Sequence, residues 1–385
     1  MSQEATKAMI AEVFNDIANG IKSGQFKKKV RIGLTILGSE HGVEEMVKAA
    51  NLAKAKYGDF DIVLIGSKVE GDFEVIEAPT AEEGHKIMVE MLEKGEIDGC
   101  VTQHFDFPIG VSTVGKVVTP GLGKEMIIAT TTGTTSTDRV EGMVKNAISG
   151  IAVAKACGIK EPKVGILNLD GARQVERILK EVKEGGYKMS FSDSLRADGG
   201  AVMRGNDLLA GTPDVMVCDS LTGNLLIKVF SSFTTGGNYE TVGAGYGPGI
   251  GADYDKVVNI VSRASGAPLI AEALRYCATC VENKVLEIAR NEYKAAAKAG
   301  MMEIIEKTTK KKSAPQEEEV VMPPKRVVEH AIPGIDILEL ENACKVLWKA
   351  GIYSESGMGC TGPIVLVPSD ESEKALEELK KAEYL

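Results

Sequence analysis

No run of 18 uncharged apolar residues occurs in this 385-residue chain, so no membrane-spanning helix is expected. Positive charge is scarce as well. The net charge is −10, and the basic runs are confined to Lys27–Lys29 and Lys310–Lys312, which argues against nucleic acid as a partner. The first thirty residues lack the basic start and apolar core of a signal peptide; they read as an amphipathic helix followed by a basic loop. Seven cysteines, an odd number, are scattered through a large acidic chain with no secretion signal. Disulfides therefore explain them poorly, and a reduced, cytoplasmic protein is expected.

What is present fits a globular protein: 44% hydrophobic and 26% charged residues, with room for two domains and a small third. Short apolar runs alternate with amphipathic segments. Strands are expected at 30–37, 61–66, 97–103, 125–131, 162–169 and 214–220, with helices at 42–57, 81–94, 138–157 and 171–184. Strands rich in Ile and Val and apolar along both faces predict a parallel α/β sheet covered by helices on both sides. In such sheets ligands bind beyond the carboxyl ends of the strands. A long helical stretch fills 267–309. The boundaries expected are a body over 1–307, a charged linker over 308–326 and a small α/β unit over 327–385. The last unit reads as helix 338–350, glycine turn 354–362, strand 363–367 and helix 370–383. Ser369, Asp370 and Glu373 stand at capping-box distances for that last helix.

Four segments offer chemistry. In "DSLTGNLLIKVF" (219–230), Asp219 ends a strand, Thr222-Gly223-Asn224 form a polar turn, and Lys228 follows Asn224 by one helical turn. Free N–H groups, an amide and an ammonium make an anion site, although a capped helix with a solvated lysine has the same spacing. In "GAGYGPGIG" (243–251), five glycines in nine residues exclude a regular element and let backbone approach a ligand at Gly247, Gly249 and Gly251. The Ser262-Arg263 pair downstream matches phosphate, or is a surface charge. The segment 102–116 brings Gln103, His104, Ser112 and Thr113 to the ligand edge. His104 is one of only four histidines, either an acid–base group or a structural one. The hydroxyl-rich run 129–143 supplies Ser136 or Thr137 as a helix cap.

Among the cysteines, the CxxC of Cys277 and Cys280 has no second ligand pair for zinc and reads as packing, as do Cys157, Cys218 and Cys344. Cys100 lies in the strand feeding the 103–113 segment and is a secondary thiol candidate. Cys360 differs. In "SGMGCTGP" it sits in a glycine-rich turn, where converging N–H groups favour a thiolate and the oxyanion of a thioester; filling space in a tight turn is the other reading.

"GNDLLAGTPDVMVCDSLTGNLLIKVF" resembles the phosphate acyltransferases of phospholipid synthesis, whose corresponding run carries an Asp, a Thr-Gly-Asn turn and a Lys. "GYGPGIG" followed by "VNIVSRASGA" is similar to phosphotransacetylases, where a Ser-Arg pair after a glycine loop serves the phosphate and acyl groups. The resemblance covers roughly residues 30–290. It implies the two-domain α/β fold of phosphotransacetylases and of isocitrate and isopropylmalate dehydrogenases, with a cleft between the domains. Phosphotransacetylases carry an aspartate a few residues beyond the Ser-Arg pair; here only Glu272 follows, at a different spacing. The tail with Cys360 is foreign to both enzyme families.

Body and tail together resemble the acyltransferase subunits of the glycine, sarcosine and betaine reductase complexes. That resemblance implies transfer of an acetyl group from a protein-bound thioester to inorganic phosphate, giving acetyl phosphate. It makes Cys360, Asn224, Lys228 and Asp219 the catalytic residues, with Ser262, Arg263 and the 243–251 glycines on the phosphate. It further implies a ketoacyl-synthase-like beta subunit as partner, a selenoprotein as acetyl source, an oligomeric assembly, and no tightly bound cofactor or metal. The rival expectations are a stand-alone phosphate acyltransferase using coenzyme A or acyl carrier protein, and a non-catalytic scaffold.

Overall fold

The computed structural model describes residues 29–197, 199–310, 320–336, 339–359, 362–382 and 384–385, together with scattered helical positions between 7 and 22. The runs RIGLT, DIVLIG and GCVT are apolar on both faces and become the buried strands β1 (Arg31–Thr35), β2 (Asp61–Gly66) and β4 (Gly99–Thr102). With the short β3 (Glu74–Glu77) they pair in parallel, crossing over through α1 (Gly42–Lys56) and α2 (Ala81–Lys94).

A long antiparallel hairpin follows, β5 (Val111–Val118) and β6 (Glu125–Thr134). Next come α3 (Arg139–Ala156), β7 (Lys163–Leu167), α4 (Ala172–Glu184), the two-residue β8 (Ser190–Phe191) and β9 (Val202–Met203), α5 (Gly205–Ala210), β10 (Val215–Val217) and α6 (Ser220–Ser232). Strands β11 (Gly247–Ile250) and β12 (Val258–Ile260) return the chain to the first half. The strand order is β3-β2-β1-β4-β12-β11-β5-β6-β10-β7-β8, with β9 beside β7.

The sheet is mixed and mostly parallel, not wholly parallel as the strand pattern suggests. β11 runs antiparallel to both β12 and β5, and β5 to β6, so antiparallel pairs join two parallel halves. Helices cover both faces, each over its own core. Met46, Val144, Ile178 and Leu274 pack on one side, and Met88, Met91, Ile227 and Phe230 on the other. The stretch 267–309 is three helices rather than one or two: α7 (Ala267–Glu282), α8 (Val285–Lys298) and α9 (Met301–Lys310). Lys284 in the left-handed region breaks the first pair, and Gly300 the second. α9 thus enters the expected linker by three residues, and 311–319 lie outside the described residues. Among the described residues no helix is long and apolar enough to cross a membrane.

The carboxyl-terminal residues build a separate three-stranded antiparallel sheet from β13 (His330–Pro333), β14 (Glu355–Gly359) and β15 (Gly362–Val367), ordered β13-β15-β14. α10 (Leu340–Lys349) and α11 (Ser372–Lys381) close a small core around Leu347, Ile352, Val365 and Leu379. The stretch 354–362 is not a glycine turn throughout, because Glu355–Gly359 pairs in register with β15 and its backbone groups are satisfied across the ladder. The last helix starts at Ser372 after a 3₁₀ turn, without a side-chain cap; Asp370 instead pairs with Arg326 at 2.7 Å. Cys360 lies outside the described residues.

Candidate active site

The two halves of the sheet meet where β4, β12 and β6 end, and a cleft of about 310 Å³ opens at that junction. This is the switch point at which α/β sheets bind ligands. α6 forms one wall. Asp219 caps it, its Oδ1 accepting the Thr222 N–H at 2.8 Å, so Thr222-Gly223-Asn224 is the first turn of the helix and not a loop before it. Asn224 and Lys228, one turn apart on one face, both line the cleft. Gly223 lets the helix start lie against β6, since a Cβ there would fall 1.7 Å from the Thr130 carbonyl oxygen.

Ser262 and Arg263 occupy a tight turn after β12, opposite α6. Ser265 Oγ accepts the Ser262 N–H at 2.9 Å, and Ser262 Oγ accepts the Ala264 N–H at 3.2 Å. Lys228 Nζ donates to Ser262 Oγ at 3.5 Å, so the ammonium bridges the cleft between the two walls. Nζ is also 3.6 Å from Glu240 Oε1 and stands 5.7 Å from the centre of the Tyr246 ring. Glu240 is buried; Tyr246 OH donates to it at 3.1 Å and Ser265 Oγ at 2.8 Å. Burial, with the neighbouring Glu240 charge, pushes the Tyr246 phenol up, which keeps it a proton donor. Arg263 is exposed and lines the cleft, its backbone carbonyl accepting from Glu40 N at 2.9 Å.

His104 and Gln103 complete the cleft from the end of β4. His104 is more than half exposed, with Nε2 3.3 Å from Asp106 Oδ1. His85 lies behind it, ring centres 6.3 Å apart, and shares a 3.1 Å hydrogen bond with Thr102 Oγ1. Partial burial, then the adjacent His104, lower the His85 pKa. The Gln103 amide is buried and donates to Met46 Sδ at 3.2 Å.

Other candidates stand elsewhere. Ser112 and Thr113 lie in strand β5 and are fully buried; Ser112 Oγ bonds Asn146 and Thr135, and Thr113 Oγ1 bonds Thr131 at 2.7 Å. They lock the sheet junction and do not face the cleft. Of the 243–251 glycines, Gly247 and Gly249 lie in strand β11 and Gly251 directly follows it, and at these positions the missing side chain serves packing. A Cβ on Gly247 would fall 1.7 Å from the Val114 carbonyl oxygen, one on Gly249 2.3 Å from Phe107, and one on Gly251 2.8 Å from the Gly110 carbonyl oxygen. Asp219 faces a neighbouring hydroxyl-rich groove, paired with Arg139. Partial burial raises its pKa, but the Thr222 and Arg139 hydrogen bonds outweigh that and hold the carboxyl below its ordinary range. In the same groove the cap of α3 is Asp138, not Ser136 or Thr137. Cys100 is wholly buried in β4, and burial pushes its thiol up. Glu272, on α7, bonds Lys56 and Tyr57 away from the cleft.

Glu240 and Tyr246 are site residues that local pattern does not announce. A single tyrosine inside "GAGYGPG" is the signal available, since one large side chain among glycines marks a deliberate contact.

The sequence profile of the fatty acid synthesis protein family matches residues 30–366. The glycine/sarcosine/betaine reductase complex component C subunit alpha of Peptoclostridium acidaminophilum is 59% identical over 377 residues, 98% of either chain. The chain belongs to the family of component C alpha subunits, within the fatty acid synthesis protein family. A phosphate acyltransferase of Thermotoga petrophila is 27% identical over 234 residues, 52% of this chain and 67% of that protein. Among solved structures, a branched-chain phosphotransacylase from Enterococcus faecalis V583 superposes with a TM-score of 0.46 at 14% identity, over 66% of this chain and 99% of that one. Relatives of this chain thus include a protein named for acyl transfer to phosphate, and its own cleft carries the Asn224, Lys228, Ser262 and Arg263 set that the motif resemblance attaches to that chemistry.

Proposed function

We propose that this chain is the acyltransferase subunit of a glycine/sarcosine/betaine reductase complex and passes an acetyl group from a protein-bound thioester to inorganic phosphate. The observation that carries the proposal is Lys228 reaching across the cleft to Ser262, with Asn224 and Arg263 on the same walls. Two cations with a hydroxyl and an amide suit a phosphate dianion and a developing oxyanion.

In the reaction a phosphate oxygen attacks the thioester carbonyl, forming a C–O bond. Collapse of the tetrahedral intermediate breaks the C–S bond and releases the thiolate. The proton of hydrogen phosphate ends on that sulfur, so acetyl phosphate and a free thiol result, with no redox change. Arg263 and Ser262 hold the phosphate, Lys228 and Asn224 stabilise the oxyanion, and His104 at the rim relays the proton. Such an attack needs positioning more than a strong base, which fits a cleft whose nearby carboxylates include Glu240, engaged by Tyr246 and Ser265, and Asp106, paired with His104.

We assign the carrier thiol to Cys360, with a ketoacyl-synthase-like beta subunit and a selenoprotein as partners. Cys100 is no substitute, being sealed in the sheet. Incubation of the full chain with acetyl phosphate, followed by peptide mapping by mass spectrometry, tests the assignment. An acetyl group on the Cys360 peptide supports it; an unmodified peptide moves the thioester to the partner. The kinship with phosphate acyltransferases favours a second reading, unaided exchange of acetyl phosphate with coenzyme A, and the same incubation with coenzyme A added decides between the two.

A further inference from the structure

Glu240 is a buried carboxylate that none of the acyl-transfer steps uses, yet it touches both walls of the cleft. Its backbone is stitched to the Ser262–Gly266 turn: Glu240 N donates to Ala264 O at 3.0 Å, and Gly266 N donates to Glu240 O at 2.9 Å. Its Oε2 accepts from Ser265 Oγ, the same hydroxyl that accepts the Ser262 N–H. Its Oε1 accepts from Tyr246 OH and lies 3.6 Å from Lys228 Nζ. An ammonium has three N–H donors. Glu240 and Ser262 engage two of these donors, and the Tyr246 ring centre stands 5.7 Å from Nζ, which leaves one donor for an anion in the cleft that Lys228 lines.

We infer that Glu240 is a positioning residue of the anion site: it aims the Lys228 ammonium into the cleft and holds the Ser262–Arg263 turn at the matching height. The inference rests on the reading of this cleft as a phosphate site. It makes a claim of opposite sign to a simple field effect. A carboxylate beside an anion site, acting only through its charge, repels phosphate, and its removal tightens binding. A carboxylate that aims the binding cation does the reverse, and its removal loosens binding.

Glu240→Gln separates the two, because the amide keeps the side chain's shape, its one oxygen still accepts from Ser265 Oγ while its NH2 donates to Tyr246 OH, and the charge that holds Lys228 is lost. Titration of the full chain with inorganic phosphate in a calorimeter is expected to show about fivefold weaker binding for Glu240→Gln, but a change under about twofold when Lys228 is already alanine. Coincident melting temperatures for the parent and Glu240→Gln chains exclude a folding effect, and Glu240→Asp, one methylene shorter, is expected to recover only part of the affinity. Tighter phosphate binding in Glu240→Gln overturns the inference, as does an equal loss in both Lys228 backgrounds. Absence of phosphate binding by the parent chain overturns the phosphate reading itself, and the inference with it.

Discussion

Asp336 Oδ2 accepts a 2.8 Å hydrogen bond from the backbone N–H of Gly171, the residue that opens α4. A carboxylate from the tail therefore caps a helix of the body. Glu339 adds a hydrogen bond from Gln174 and an ion pair with Arg177 at 3.7 Å. These polar contacts, on a buried Asp336, join the small carboxyl-terminal core to the face of α4. Removing an acidic cap costs about 1 kcal/mol. Asp336→Ala is thus expected to loosen the tail by that order, seen as faster amide hydrogen exchange at 171–174 and faster proteolysis before His330, with the exchange of β1 and β4 unchanged. Equal protection in both chains would show that the contact contributes nothing.

Arg263 lines the cleft while its backbone is tied to Glu40, so its guanidinium can be deleted without disturbing the turn. A charge-assisted hydrogen bond to phosphate contributes about 1.5–3 kcal/mol. Arg263→Ala is expected to raise the phosphate requirement of acetyl phosphate formation roughly 10- to 100-fold at an unchanged melting temperature. A phosphate dependence like that of the parent chain would place the anion elsewhere.

Thiol reagents report which cysteine is reachable. Cys100 is fully buried and its thiol pushed toward the protonated form, so it is expected to stay unlabelled in the native chain and to react only in denaturant. Cys360→Ser is expected to abolish acetyl labelling, and Cys100→Ala to leave it intact. Loss of labelling in Cys100→Ala alone would reverse the assignment.

Gly223 is a steric requirement of the site. An alanine Cβ at this position would stand 1.7 Å from the Thr130 carbonyl oxygen, so Gly223→Ala must push α6 off β6. A loss of about 2–4 kcal/mol in stability is expected by urea unfolding, with weakened phosphate binding because Asn224 and Lys228 ride on that helix. Unchanged stability would mean the helix start yields freely.

The Asp219–Arg139 pair carries a pH signature. The folded pKa of Asp219 lies below its ordinary value of about 3.9. Its contribution is therefore fully present above that value and is lost as pH falls through the lower, folded one. Arg139→Gln is expected to lower the melting temperature slightly at pH 7, by less than about 1 kcal/mol in stability, and the deficit should shrink below about pH 4. A deficit that does not change with pH would assign the effect to packing.

How much of this is legible in the chain depends on local pattern. Runs such as DIVLIG and PKVGILNL announce buried strands because both faces are apolar, and the crossover helices follow from their periodicity. The glycine segments mislead: GPGI and ESGMG carry no strand propensity, yet both pair in ladders, since a neighbouring strand supplies partners for any extended backbone. Ser112 and Thr113 mislead in the opposite way, because hydroxyls in an apparent loop are paired inside the sheet.

The alternation of strands and helices, the α/β class and the Asn224–Lys228 spacing follow from interactions between residues close along the chain. The meeting of Lys228 with Ser262, 34 residues away, the place of Glu240 beneath both, and the turning of Asp219, Ser112 and Cys100 away from the cleft emerge only in the folded chain. Those outcomes depend on strand order at the junction of the two sheet halves, and strand order is set by long-range packing that local sequence does not encode.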